Sequence, residues 1–82
     1  MEAAAHFEGE WGSRLPDGRE VVVRRCGRYW LVRCGGSLAQ SENLDVALAR
    51  AIRRANKITR HSREFDYPAW IRSVADALDP KS

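Results

Sequence analysis

The sequence predicts an α+β fold: a three- or four-stranded antiparallel meander packed against a long amphipathic helix, followed by a short C-terminal helix (β-β-β-α-α). Three observations predict it. Between residues 7 and 34 apolar and polar side chains alternate with the period of two that marks half-buried strands. Two glycine-bearing turns, Pro16-Asp17-Gly18 and Gly27-Arg28, punctuate that alternation. From Asn43 to Arg60 the period changes to the three- and four-residue steps of an α-helix. Eighty-two residues leave room for one core, so the chain reads as a single domain over 1–82, with the sheet in 7–40, the main helix in 43–60 and the last helix in 67–79.

In the first strand Phe7, Gly9, Trp11, Ser13 and Leu15 fall on one side, and Glu8, Glu10, Gly12 and Arg14 on the other. Pro16 fixes φ and Gly18 accepts a positive φ, so a three-residue turn follows. Glu20 to Cys26 is a Val-rich second strand. Gly27-Arg28 suits a two-residue type II′ turn, and Tyr29 to Cys34 is the third strand. These turns fix a register. Cys26 lies opposite Tyr29, Arg25 opposite Trp30, Val23 opposite Val32 and Val21 opposite Cys34; Ser13 lies opposite Val21 and Trp11 opposite Val23. Both hairpins then place Trp11, Leu15, Val21, Val23, Trp30, Val32 and Cys34 on one face, a set that a one-residue slip would scatter. The other face carries Glu10, Val22, Arg24, Cys26, Tyr29, Leu31 and Arg33. Ser37 to Gln40, after Gly35-Gly36, is open between a fourth strand and a lead into the helix.

In the main helix Leu44, Ala47, Leu48, Ala51, Ile52, Ala55 and Ile58 form the apolar face, while Arg50, Arg53, Arg54, Lys57 and Arg60 form a stripe of positive charge. Asn43 is placed as N-cap. Asp45 in the first turn and the cations toward the C-terminus suit the helix dipole. His61 to Asp66 reads as polar linker. Pro68 opens the last helix, whose apolar stripe is Trp70, Ile71, Val74, Ala77 and Leu78.

A net charge of +3 hides a segregation. Residues 1–20 sum to −3, residues 21–63 to +8 and residues 64–82 to −2. A basic middle attracts a polyanion, or it is neutralised by acidic ends folded back over it. Cys26 and Cys34 fall on opposite faces, which excludes a disulfide between them and implies reduced thiols. No stretch approaches the ~20 apolar residues of a membrane span, and the N-terminal residues lack the basic start and apolar run of a secretion signal, so the expected location is the cytoplasm.

No catalytic constellation emerges. Cys26, Cys34, His6 and His61 have no spacing that preassembles a metal site, and neither histidine stands as a base beside a nucleophile. Gly35-Gly36-Ser37 lacks the lysine and spacing of a P-loop, and Glu42 and Asp45 repel phosphate at the helix start. Neither an enzyme nor a cofactor or metal is expected, and Trp11, Trp30 and Trp70 read as core. The order of a sheet followed by a helix is similar to the double-stranded RNA-binding domain, but Glu42 and Asp45 stand where that domain has a basic cluster. The stretch Gly27 to Ala55 resembles HicB-type antitoxins without the strand and DNA-binding part that follow there. No family is assigned.

What remains is a binding surface: Arg50, Arg53, Arg54, Lys57 and Arg60 on the helix, with Arg24, Arg33 and Tyr29 on the outer sheet face. The stripe suits a nucleic-acid backbone bound with little sequence selectivity, since it contains no Asn or Gln beyond Asn56 for reading base edges. The alternative is an adaptor or small inhibitor that binds an acidic protein surface. A membrane surface is disfavoured, because the apolar face of the helix is needed to cover the sheet.

Overall fold

The computed structural model describes residues 9–59 and 66–79; the side chains of residues 58 and 59 lie outside that description. Its elements are β1 (Glu10–Arg14), β2 (Glu20–Cys26), β3 (Tyr29–Cys34), β4 (Ser37–Ser41), α1 (Leu44–Thr59) and α2 (Tyr67–Leu78). The four strands form one antiparallel sheet in the order β1-β2-β3-β4.

Turn chemistry sets the register, as the sequence predicts. Leu15 donates its N–H to Arg19 O and accepts from the Gly18 N–H, each at 2.8 Å, which closes the Pro16-Asp17-Gly18 loop. Gly18 sits at φ 96, and no atom lies within 4 Å of the Cβ that another residue would add. A Gly18→Ala variant therefore meets no clash and loses only backbone energy, about 1–2 kcal/mol. Its melting temperature is expected to fall by roughly 4–8 °C per kcal/mol in a domain of this size. An unchanged melting curve would argue that the turn relaxes freely.

All six predicted cross-strand pairs are present, from Trp11 opposite Val23 to Cys26 opposite Tyr29. Gly35-Gly36 is a third tight turn. It places Cys34 opposite Ser37 and makes Ser37–Ser41 a full fourth strand, which settles the open segment. Its inner-face residues Ser37 and Ala39 are small and buried, leaving room for a helix above them.

That helix is α1. Leu44, Ala47, Leu48, Ala51, Ile52 and Ala55 are all buried and pack with Leu15, Val21, Val23, Trp30, Val32, Cys34 and Ala39 into one core. Each fully buried Val or Leu of this core stabilises by about 1.5–3 kcal/mol, and each buried Ala by less. The other expected member, Ile58, falls outside the described side chains. Asn43 holds the N-cap position, its carbonyl accepting from Ala47 N–H at 3.0 Å. Among the described residues its side chain caps nothing. Instead Asp45 Oδ1 takes the Val46 N–H at 2.9 Å, and Ser41 Oγ takes the N–H of Asn43 at 3.2 Å.

The last helix begins one residue earlier than its proline suggests. Asp66 is its N-cap, accepting from Ala69 N–H at 3.1 Å, which places Tyr67 rather than Pro68 first. Tyr67 and Val74 are buried, and Trp70, Ile71, Ala75 and Leu78 are partly so. Ala77, expected on this stripe, is exposed, and Ala75 takes its place. α2 packs against α1. Trp30 is fully buried, whereas Trp11 and Trp70 border the core.

Candidate functional site

Helix α1 presents three regions, a buried side and two stretches outside it that follow one another along its axis, since four-residue steps put Arg50 and Arg53 in line with Val46 and Ala49. One faces the sheet. A second, with Asp45, Val46 and Ala49, shares a groove of about 500 Å³ with Pro68, Ile71, Arg72, Ala75, Asp76 and Asp79 of α2 and its C-cap. The third carries Arg50, Arg53, Arg54 and Lys57, all exposed. Arg60, the last member expected in the stripe, lies outside the described residues. Among the described residues no carboxylate pairs with these four cations, so the acids of α2 leave the stripe uncovered.

Arg54 has a second task. Its Nη1 donates to the carbonyl of Leu38 at 2.6 Å, which ties the stripe to the outer edge of β4. Gly36, Ser37, Leu38, Arg54 and Lys57 line a cavity of about 390 Å³ there. Leu38 is 50% exposed and also lines a smaller hollow, about 100 Å³, on the outer sheet face with Glu10, Val22, Arg24, Leu31 and Arg33. Arg33, opposite Leu38, therefore approaches from below the edge that Arg54 and Lys57 reach from above, whereas Arg24 stands two strands in, between Glu10 and Leu31. Tyr29 does not join them. It is 39% exposed, but it pairs with Cys26 at the far end of β3, and Leu31 intervenes before Arg33. Leu31 itself is half-buried rather than exposed.

A second cluster escaped the sequence reading. Asp17, expected only to shape its turn, has a side chain 1% exposed. Its Oδ2 accepts from Arg19 Nη2 at 2.7 Å and from the Tyr67 hydroxyl at 2.6 Å, and its Oδ1 accepts from the Arg19 backbone N–H at 2.9 Å. Arg19 Nη2 also donates to Asn56 Oδ1. This clasp joins the β1–β2 turn to both helices. It also turns Asn56 inward, so the one residue of α1 expected to read base edges is spoken for.

The Arg19 hydrogen bond, against the opposing effect of burial, holds the Asp17 carboxyl well below the usual carboxylate range. Asp17 in turn raises Arg19. Burial first, and then the bond to Asp17, lifts the Tyr67 phenol above its ordinary value. All three titrate far from neutrality, so none is poised as a general acid or base. The Cys34 thiol, buried in the core, is likewise pushed up by desolvation, and a raised thiol is a poor nucleophile.

Arg25 was also missed. Facing Trp30 across the β2–β3 ladder, it lays its guanidinium 4.7 Å from the indole centroid and donates Nε–H to Gly27 O at 2.9 Å. The alternation already put Arg25 on the inner face, where a cation over an aromatic ring is the ordinary solution.

Fold and surface define a small α+β domain with a clasped interior and a basic edge built from α1 and β4. The chain matches no protein-family model, no curated protein and no solved structure. Among the described residues there is no group of three metal-ligating side chains, and no helix is long and apolar enough to cross a membrane.

Proposed function

We propose that the domain is a non-catalytic module that binds the phosphate backbone of nucleic acid through the basic flank of α1. One observation carries this reading: Arg50, Arg53 and Lys57 stand exposed along α1 without a carboxylate partner among the described residues, beyond the groove that Asp45, Val46 and Ala49 share with α2. Seven residues of helix span about 10 Å, which matches a short run of phosphates. With the Asn56 Oδ1 engaged by Arg19, the flank offers cations without a free carboxamide oxygen, so its contacts favour phosphates and affinity comes with little sequence selectivity. Such a module acts in the cytoplasm, where Cys26 and Cys34 remain thiols.

The test is binding to random duplex DNA and RNA across a salt series. Three or four phosphate contacts give a log–log slope of about −3 for duplex DNA. Arg50→Glu with Arg53→Glu is expected to weaken binding at least about tenfold and to flatten the slope by about 2. Arg53 is chosen over Arg54 because Arg54 also holds the β4 edge. Affinity that ignores salt, or that survives the double charge reversal, would sink the proposal.

A further inference from the structure

We propose that the outer edge of β4 takes up an extended, acidic segment of a partner protein as a fifth strand. The argument begins with the direction of the backbone. The two-residue Gly35-Gly36 turn makes Cys34 and Ser37 a hydrogen-bonded pair, and in an antiparallel ladder such pairs alternate with pairs whose N–H and C=O point away. Leu38, opposite Arg33, and Gln40, opposite Leu31, are the outward members. The bond from Arg54 Nη1 to Leu38 O at 2.6 Å independently shows that this carbonyl faces out.

Edges of this kind are ordinarily blunted by lysine, proline, a bulge or a covering element. Ser37-Leu38-Ala39-Gln40-Ser41 has no charge, no proline and a continuous register, and among the described residues no strand lies beyond it. Its one guard among the described residues is Arg54, whose bond to the Leu38 carbonyl an incoming strand displaces. Leu38, the most exposed large aliphatic residue described, is the second residue of the strand.

Charge selects the occupant. A second copy pairing edge to edge would bring another Arg54 and Lys57 against the first, with like charges confronting across the new ladder. A segment with carboxylates meets those cations favourably. Alternation then specifies the pattern. Residues of the added strand that point toward α1 meet Arg54 and Lys57 and are acidic; those that point to the outer face lie beside Leu38 and are aliphatic. A phosphate backbone could use the cations but supplies no matching row of N–H and C=O groups. The proposal rests on backbone geometry and shares Lys57 alone with the reading of the α1 flank.

The probe is a set of peptides of about seven residues alternating Glu with Val, Ile or Leu, with the Lys-for-Glu series as control. On adding the Glu peptides to the full chain, amide exchange at Leu38 and Gln40 is expected to slow about tenfold or more, with no effect from the Lys series. Leu38→Pro removes an outward donor while sparing the β3–β4 ladder, and should abolish the protection in a protein whose circular dichroism is unchanged. Should that variant not fold, Arg54→Glu decides, with preference expected to reverse toward the Lys series. Three results would overturn the proposal: no protection at millimolar Glu peptide, protection of both amides without peptide in a species of doubled mass, or protection by random duplex DNA instead.

Discussion

Replacing Asp17 with Ala is expected to remove about 3 kcal/mol or more of stability, the scale seen when one partner of a buried ion pair is deleted. The carboxylate, 1% exposed, serves the Arg19 guanidinium, the Arg19 backbone N–H and the Tyr67 hydroxyl at once. Its loss strands a guanidinium whose Nη1 is already buried without a hydrogen-bond partner. Against a total of roughly 5–15 kcal/mol for a domain, such a loss shifts the denaturation midpoint visibly. A measured cost under about 1 kcal/mol would mean that the clasp is ornamental, worth no more than an exposed pair.

The same site gives the acid limb of the stability curve. The folded pKa of Asp17 lies below its unfolded value, so as pH falls the unfolded chain takes up the proton first. The contribution is therefore complete above the unfolded value, about 4, and is lost as pH falls below it toward the folded pKa. Asp17→Asn should flatten that limb in denaturation experiments between about pH 5 and 2. Tyr67 has the opposite sign. Its folded pKa is raised, so its contribution is complete below about pH 10 and declines as pH climbs through the folded value. Tyr67→Phe removes that alkaline decline.

Trp30→Ala is expected to cost about 3–5 kcal/mol. Trp30 is 1% exposed in the sheet, beneath α1, and is the largest side chain buried completely. Truncation opens a hole that the rigid ladder on both sides of β3 cannot collapse to fill. Arg25 loses its aromatic partner as well, a further contribution of about 0.5–1 kcal/mol that Arg25→Ala isolates. Urea unfolding of the two single variants and the double variant separates cavity from cation–π. If Trp30→Ala unfolded within about 1 kcal/mol of the parent, the core would not be centred on this residue.

The register was legible because two independent turn signals and one apolar face had to agree, and Trp11, Val21, Val23, Val32 and Cys34 satisfied both hairpins. α1 was legible for the same reason, its apolar period having a sheet face to match. β4 was not, because small Ser37 and Ala39 on the buried side and Leu38 on the open side invert the usual signal. The clasp was illegible on physical grounds. Asp17 and Tyr67 meet across 50 residues, and nothing near either one announces the other. Asp66 followed by Tyr67-Pro68 did carry a capping signal that the linker composition masked. Of the expected surface, Arg33, Arg54 and Lys57 meet at one edge, while Arg24 stands two strands in and Tyr29 at the far end of β3, because sharing a face of the sheet does not imply sharing an edge or an end of it.

The strand order has a consequence for assembly of the chain. Every strand pairs only with its neighbour in sequence, so the whole sheet forms by closing loops of two or three residues, and α1 follows β4 directly. The entropy of such closures is small and local contacts of this kind form quickly. The bond between Asp17 and Tyr67 instead encloses 50 residues. The clasp that locks the finished domain thus joins residues far apart in sequence, and the ordering of α2 is the step that depends on the β1–β2 turn and α1 already being in place.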